Sequence, residues 1–125
     1  MKMAHTCVRV KDLEASLAFY KAAFDYEEIK RRDFPKYEFT LVYLKFPGDS
    51  HELELTYNYG HEAYDLGNGY GHIAIATDDL EGLHAKHKAA GFEITDLKGL
   101  PGTPPGFYFI TDPDGYKVEV IREKY

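Results

Sequence analysis

The stretch HELELTYNYG at residues 51–60 puts Leu53, Leu55 and Tyr57 on one side of a strand and Glu52, Glu54, Thr56 and Asn58 on the other, because side chains alternate along an extended backbone. Upstream the period changes. Leu13, Leu17, Tyr20 and Phe24 recur at helical spacing and lay one apolar stripe along a helix. Asp12 precedes the stripe, where its carboxylate can accept from an unpaired first-turn N–H. Strand-like runs follow at 26–32, 37–46 and 51–58. A second strand and helix, the latter capped by Asp79, are followed by runs at 92–96, 107–111 and 116–122. The order is βαβββ, twice, which predicts an α+β fold.

The two halves are copies. HTCVRVKDLEASLAFYKAAF at 5–24 aligns without gaps to HIAIATDDLEGLHAKHKAAG at 72–91, laying His5 on His72 and one DLE on the other. Near the end of each copy GDSHELEL at 48–55 aligns with PDGYKVEV at 113–120, so Glu54 falls on Glu119. The change of offset lies in the loops between, where length varies most easily. Each copy therefore begins with a His on its first strand and ends with a Glu on its last.

Length and charge narrow the partners. A chain of 125 residues suits a single domain, 1–125, built of two repeats at about 1–60 and 68–125. Its formal net charge of -6 argues against a nucleic-acid or anionic-membrane surface, which needs clustered Lys and Arg. One Cys excludes an intramolecular disulfide. The N-terminus MKMAHTCVRVKD has no apolar signal core and no run is long enough to span a membrane, so a cytoplasmic location is expected.

His5, Glu54, His72 and Glu119, related by the duplication, form a candidate site for one divalent metal with mixed N/O ligands and two positions left for water or substrate. Taken singly, each is as readily a solvated or packed side chain; the symmetry is what singles out the set. Strand parity places Arg9 on the face of His5, and Asn58 on the face of Glu54. Alternatively Arg9 is an exposed edge charge, and Asn58 a turn residue before Gly60. His84 and His87 align with Leu17 and Tyr20, which points to packing against the sheet. Cys7 reads as a small buried hydrophobe.

The stretches HTCVRVKDLEASLAFY, ELTYNYG, YGHIAI and DPDGYKVEV, in that order and spanning Met1 to about Arg122, resemble the lactoylglutathione lyase (glyoxalase I) family of the vicinal oxygen chelate superfamily, in its short bacterial form. The resemblance implies paired βαβββ modules whose mixed sheet forms a cup around one metal held by His5, Glu54, His72 and Glu119. It implies Ni²⁺ or Co²⁺ in preference to Zn²⁺, and a homodimer. The implied substrate is the hemithioacetal of methylglyoxal and glutathione, isomerised through an enediolate to S-D-lactoylglutathione. Glu119 is the implied base for one enantiomer, with Glu54 serving the other or remaining a ligand. Arg9 and Asn58 match residues that contact the γ-glutamyl end of glutathione.

Two positions depart from the family pattern. Asn68 stands where the family carries a base, and the loop LKGLPGTPPGFY offers Lys98 as its only cation, which leaves open another small thiol as cosubstrate. A metal-free small-molecule or drug-binding protein of the same superfamily is the alternative from another class. Thiol transferases and dioxygenases of the superfamily use two His and one Glu, so Glu54 weighs against them.

Overall fold

The first and last strands of the first unit lie side by side, which brings residues far apart in sequence into one register. In the computed structural model, which describes residues 1–123, contacts divide the chain into two compact units, Met1–Asp65 and Leu66–Tyr125. The first contains β1 (His5–Arg9), α1 (Leu13–Phe24), β2 (Glu27–Phe34), a 3-10 turn (Pro35–Tyr37), β3 (Phe39–Lys45) and β4 (Glu52–Asn58). Its sheet runs β1-β4-β3-β2, with β1 parallel to β4 and the other neighbours antiparallel.

Apolar burial holds this unit together. Val8, Val42, Leu44, Leu53 and Leu55 are buried from the sheet side, as are Leu13, Phe19, Tyr20 and Ala23 from α1. Each such large side chain contributes on the order of 1.5–3 kcal/mol relative to exposure. The buried face of α1 is turned from the one its stripe predicts. Ser16 is fully buried between Leu13 and Tyr20, whereas Leu17 and Phe24 are only half-buried. The buried face thus runs through Leu13, Ser16, Phe19, Tyr20 and Ala23. Asp12 caps it, accepting from the N–H of Ala15, and Asp25 ends it in the left-handed conformation.

The second unit contains β5 (Ile73–Thr77), α2 (Leu80–Ala89), β6 (Phe107–Thr111) and β7 (Lys117–Arg122), with sheet order β5-β7-β6 and β5 parallel to β7. The strand expected at 92–96 is not regular. Only isolated bridges join Ile94 to Ile110 and Lys98 to Phe107. The cause is local: the Thr95 hydroxyl accepts from the N–H of Phe109, where a continuing ladder would present a carbonyl. His87 is fully buried, its Nδ1 2.9 Å from the Tyr108 hydroxyl, and His84 Nε2 lies 3.0 Å from the Thr95 carbonyl oxygen. Both histidines are thus packing residues. Among the described residues no helix is long and apolar enough to cross a membrane.

Candidate metal centre

Parallel pairing of first and last strands creates a His/Glu diagonal in each unit. His5 stands opposite Glu52 in the β1/β4 register, and Glu54 lies two positions on, so the two side chains share a face. His5 Nε2 is 3.3 Å from Glu54 Oε2. In the second unit His72 directly precedes β5, and Glu119 stands opposite Ala74 in the β5/β7 register. His72 Nε2 is 3.5 Å from Glu119 Oε1. The duplication read from the sequence is therefore also a duplication of side-chain geometry.

These pairs suit a divalent ion. Adjacent ligands of a six-coordinate ion at about 2.1 Å stand about 3 Å apart, close to both observed separations. Imidazole nitrogen with carboxylate oxygen is the donor set such ions take. The His side chains are 43% and 42% exposed against 11% and 21% for the Glu, so each ring nitrogen is reachable while its carboxylate is sheltered. Within either unit no third His, Cys, Asp or Glu among the described residues completes the set. Two pairs are needed for four ligands.

The two carboxylates differ in their surroundings. Burial pushes the Glu54 carboxyl up, but hydrogen bonds from Tyr43, Thr56 and Cys7, helped by His5, outweigh it and hold the group below its ordinary value. The Thr56 hydroxyl donates to Glu54 Oε1 at 3.0 Å, and Cys7 Sγ lies 3.3 Å from that hydroxyl. Cys7 is exposed rather than buried, which corrects the reading of it as a small core residue. Around Glu119 the matching positions are Phe109, Ile121 and Ala74, none with a proton to donate.

The remaining candidates lie further along the same strands. Arg9 is exposed and faces Thr56 in the register; Asn58, on the next diagonal, donates its amide to the Tyr64 hydroxyl at 3.0 Å. Glu52, opposite His5, has a buried Oε1 with no hydrogen-bond partner, a polar atom that a nearby cation would offset. Beside Glu119 a depression of about 440 Å³ is lined by Leu100, Pro104, Phe107 and Ile121, so this carboxylate looks onto apolar walls. Tyr43 is the participant that sequence reading missed. Its place opposite Glu54 follows from the β3/β4 register, which alternation within either strand leaves undetermined.

A duplicated α+β chain with a His/Glu pair in each half defines a class, and comparison with known proteins identifies it: residues 2–120 match the Glyoxalase/Bleomycin resistance protein/Dioxygenase superfamily, to which the chain belongs. Its relatives include the lactoylglutathione lyase of Salmonella typhimurium, 36% identical over 127 residues covering 99% of this chain and 94% of that one. The lactoylglutathione lyase of Neisseria meningitidis serogroup A is 39% identical, over 99% of this chain and 92% of its own. Among solved structures, the trypanothione-dependent glyoxalase I of Leishmania major is similar with a TM-score of 0.88 at 35% identity, covering 99% of this chain and 88% of that one.

Proposed function

We propose that this protein is a metal-dependent lactoylglutathione lyase, converting the hemithioacetal of methylglyoxal and a small thiol to the S-D-lactoyl thioester in methylglyoxal detoxification. The observation that carries this is the pair of His/Glu contacts, 3.3 and 3.5 Å, repeated at matching positions of the two units. A metal-free binding module has no use for that repetition. Full-length similarity to lactoylglutathione lyases supports the same reading.

His5, Glu54, His72 and Glu119 would hold the divalent ion, which would supply Lewis-acid stabilisation of the negative charge that develops on the substrate oxygens. Proton transfer falls to the carboxylates. Glu119 removes the proton from the carbon bearing sulfur and returns it to the neighbouring carbon, general acid–base work typically contributing about 10²–10⁴ in rate. Glu119 is suited to this because its neighbours Phe109, Ile121 and Ala74 donate no hydrogen bond to it. Glu54, which accepts from the Thr56 hydroxyl, serves as a fixed ligand or as base for the other enantiomer. The apolar side chains of Leu100, Pro104, Phe107 and Ile121 beside Glu119 offer a wall for the methyl end of the substrate. Arg9 receives a carboxylate of the thiol, and Asn58 supports it with its amide.

The metal is Ni²⁺ or Co²⁺ in preference to Zn²⁺, since six-coordination suits those ions. The two units form one catalytic domain, 1–125, and a cytoplasmic homodimer brings His5 and Glu54 of one chain together with His72 and Glu119 of its partner. The thiol is glutathione or another small thiol, Lys98 being the only cation in the 97–108 loop. Metal content and activity are measured after chelation and after reconstitution with Ni²⁺, Co²⁺ and Zn²⁺, using methylglyoxal hemithioacetals of glutathione and of trypanothione. Metal-dependent lyase activity, highest with Ni²⁺ or Co²⁺, is expected. Protein that takes up no stoichiometric divalent ion sinks the lyase reading in favour of the binding module.

A further inference from the structure

Past β4 the chain turns back on that strand's last residue. The Asn58 backbone carbonyl accepts from the N–H of His61 at 3.2 Å, and Gly60, at φ 72°, takes the left-handed position that a side chain resists. Three residues beyond His61, the Tyr64 ring lies flat on the imidazole, with 4.0 Å between centroids and 9° between planes. His61 Nδ1 stands 2.6 Å from the Glu62 carbonyl oxygen, which fixes the imidazole in turn. The turn reading of Asn58 thus holds for its backbone and leaves its side chain to be explained.

That side chain is held by one edge. An Asn58 amide N–H donates to the Tyr64 hydroxyl at 3.0 Å, and both residues are half-buried. A primary amide is planar, with nitrogen and oxygen on opposite sides, so tying the nitrogen to Tyr64 directs the oxygen away from it. The oxygen has no hydrogen-bond partner among the described residues. Strand parity puts Asn58 on the face of Glu54 and Thr56, and Arg9 stands opposite Thr56 on β1. What this end of the strand offers is an acceptor beside a guanidinium. A head group that satisfies both carries a carboxylate for Arg9 and an amine for Asn58 Oδ1.

We infer that Tyr64 is a positioning residue for the thiol end of the site: with its ring stacked on His61, its hydroxyl fastens the Asn58 amide so that the carbonyl oxygen is left for the ligand, which selects thiols carrying an amine. This rests on Asn58 contacting the thiol, as in the proposed function. Without the hydroxyl the amide rotates, and the reversed orientation sets an N–H against the ammonium. The effect of Tyr64 runs through Asn58, so it falls on binding and not on proton transfer.

The test is calorimetric titration of the full chain, loaded with Ni²⁺, with S-methylglutathione and with its deamino counterpart, in which a glutaryl group replaces the γ-glutamyl residue. Wild type is expected to bind the amine-bearing probe about tenfold more tightly, as a hydrogen bond to a charged group requires. Tyr64→Phe, which keeps the ring on His61, is expected to cut that preference to about twofold while bound metal per chain stays unchanged. Asn58→Asp separates positioning from packing, because a carboxylate offers an oxygen on either edge and needs no orientation. Added to Asn58→Asp, Tyr64→Phe is expected to change neither affinity by more than about twofold. If wild type binds the two probes equally, or Tyr64→Phe leaves the preference intact, the inference is overturned. It is also overturned if Tyr64→Phe weakens both probes alike, or weakens them as much beside Asn58→Asp, since Tyr64 then only packs the loop. Wild-type protein that binds neither probe overturns the thiol-site reading beneath it, so the two failures are told apart.

Discussion

Arg9 sits on β1 with its backbone opposite Thr56, on the strand that also carries His5, yet it is not a metal ligand. A guanidinium pairs with a carboxylate through two parallel N–H bonds, so in the proposed function its loss acts on the thiol portion of the substrate. Arg9→Ala is expected to raise KM on the order of tenfold while bound metal per chain stays at the wild-type value. Steady-state kinetics with metal analysis on the same sample checks this, and loss of metal would assign Arg9 a structural role. Tyr26 makes a different kind of prediction. Burial, with Asp49 adding to it, pushes its hydroxyl up to about 12. The folded protein therefore keeps a proton that the unfolded chain releases near pH 10, so stability is complete below about pH 10 and declines as the pH rises toward 12. Tyr26→Phe keeps the stacking on Phe46, at 3.9 Å between centroids, and removes the proton. Its alkaline unfolding midpoint, followed by circular dichroism, should move to higher pH. The two His/Glu pairs were legible in the sequence because duplication repeats them. Tyr43 and the Thr56–Cys7 chain were not, since each depends on which residue faces which across neighbouring strands.

The helix N-termini offer the clearest test among the elements. Asp79 Oδ1 accepts from the N–H of Gly82 at 3.0 Å, and a Cβ built on Gly82 would meet Asp79 Oδ2 at 2.1 Å. Glycine here makes room for the cap. Replacing Gly by Ala inside a helix ordinarily stabilises by about 1 kcal/mol, whereas losing a cap costs about the same. Gly82→Ala is therefore expected to leave stability near wild type, Asp79→Ala to cost about 1 kcal/mol, and Gly82→Ala added to Asp79→Ala to recover most of that loss. Urea denaturation of the three variants gives the coupling; simple additivity would mean that Asp79 moves aside without losing its bond. Element order was readable outside 92–96 because the period of apolar positions switches between two and about 3.6. The rotation of α1 and the interruption at 92–96 were not, because which helix face is covered and a Thr95 side chain replacing a carbonyl are matters of packing.

At the scale of the whole molecule, each unit supplies one His and one Glu, so assembly decides whether a site exists. A His5→Ala/Glu54→Ala chain and a His72→Ala/Glu119→Ala chain are each expected to be inactive. When they are unfolded and refolded together, a shared-site dimer regenerates one intact site in every mixed pair, returning roughly a quarter of wild-type activity under random pairing. Mixed dimers that remain inactive would show that both units of one chain build the site.

The parallel pairing of β1 with β4, and of β5 with β7, also sets an order of events. His5 and Glu54 stand at opposite ends of their unit in sequence, as do His72 and Glu119, so neither pair exists until the intervening chain has been made and folded back. Contacts of such separation are late and slow, because the entropy of closing the loop is spent before they form. A nascent chain leaving the ribosome thus presents His5 before Glu54 and His72 before Glu119, so neither pair has a hold on stray ions until its half is finished. Loading with metal becomes a mark of completed folding.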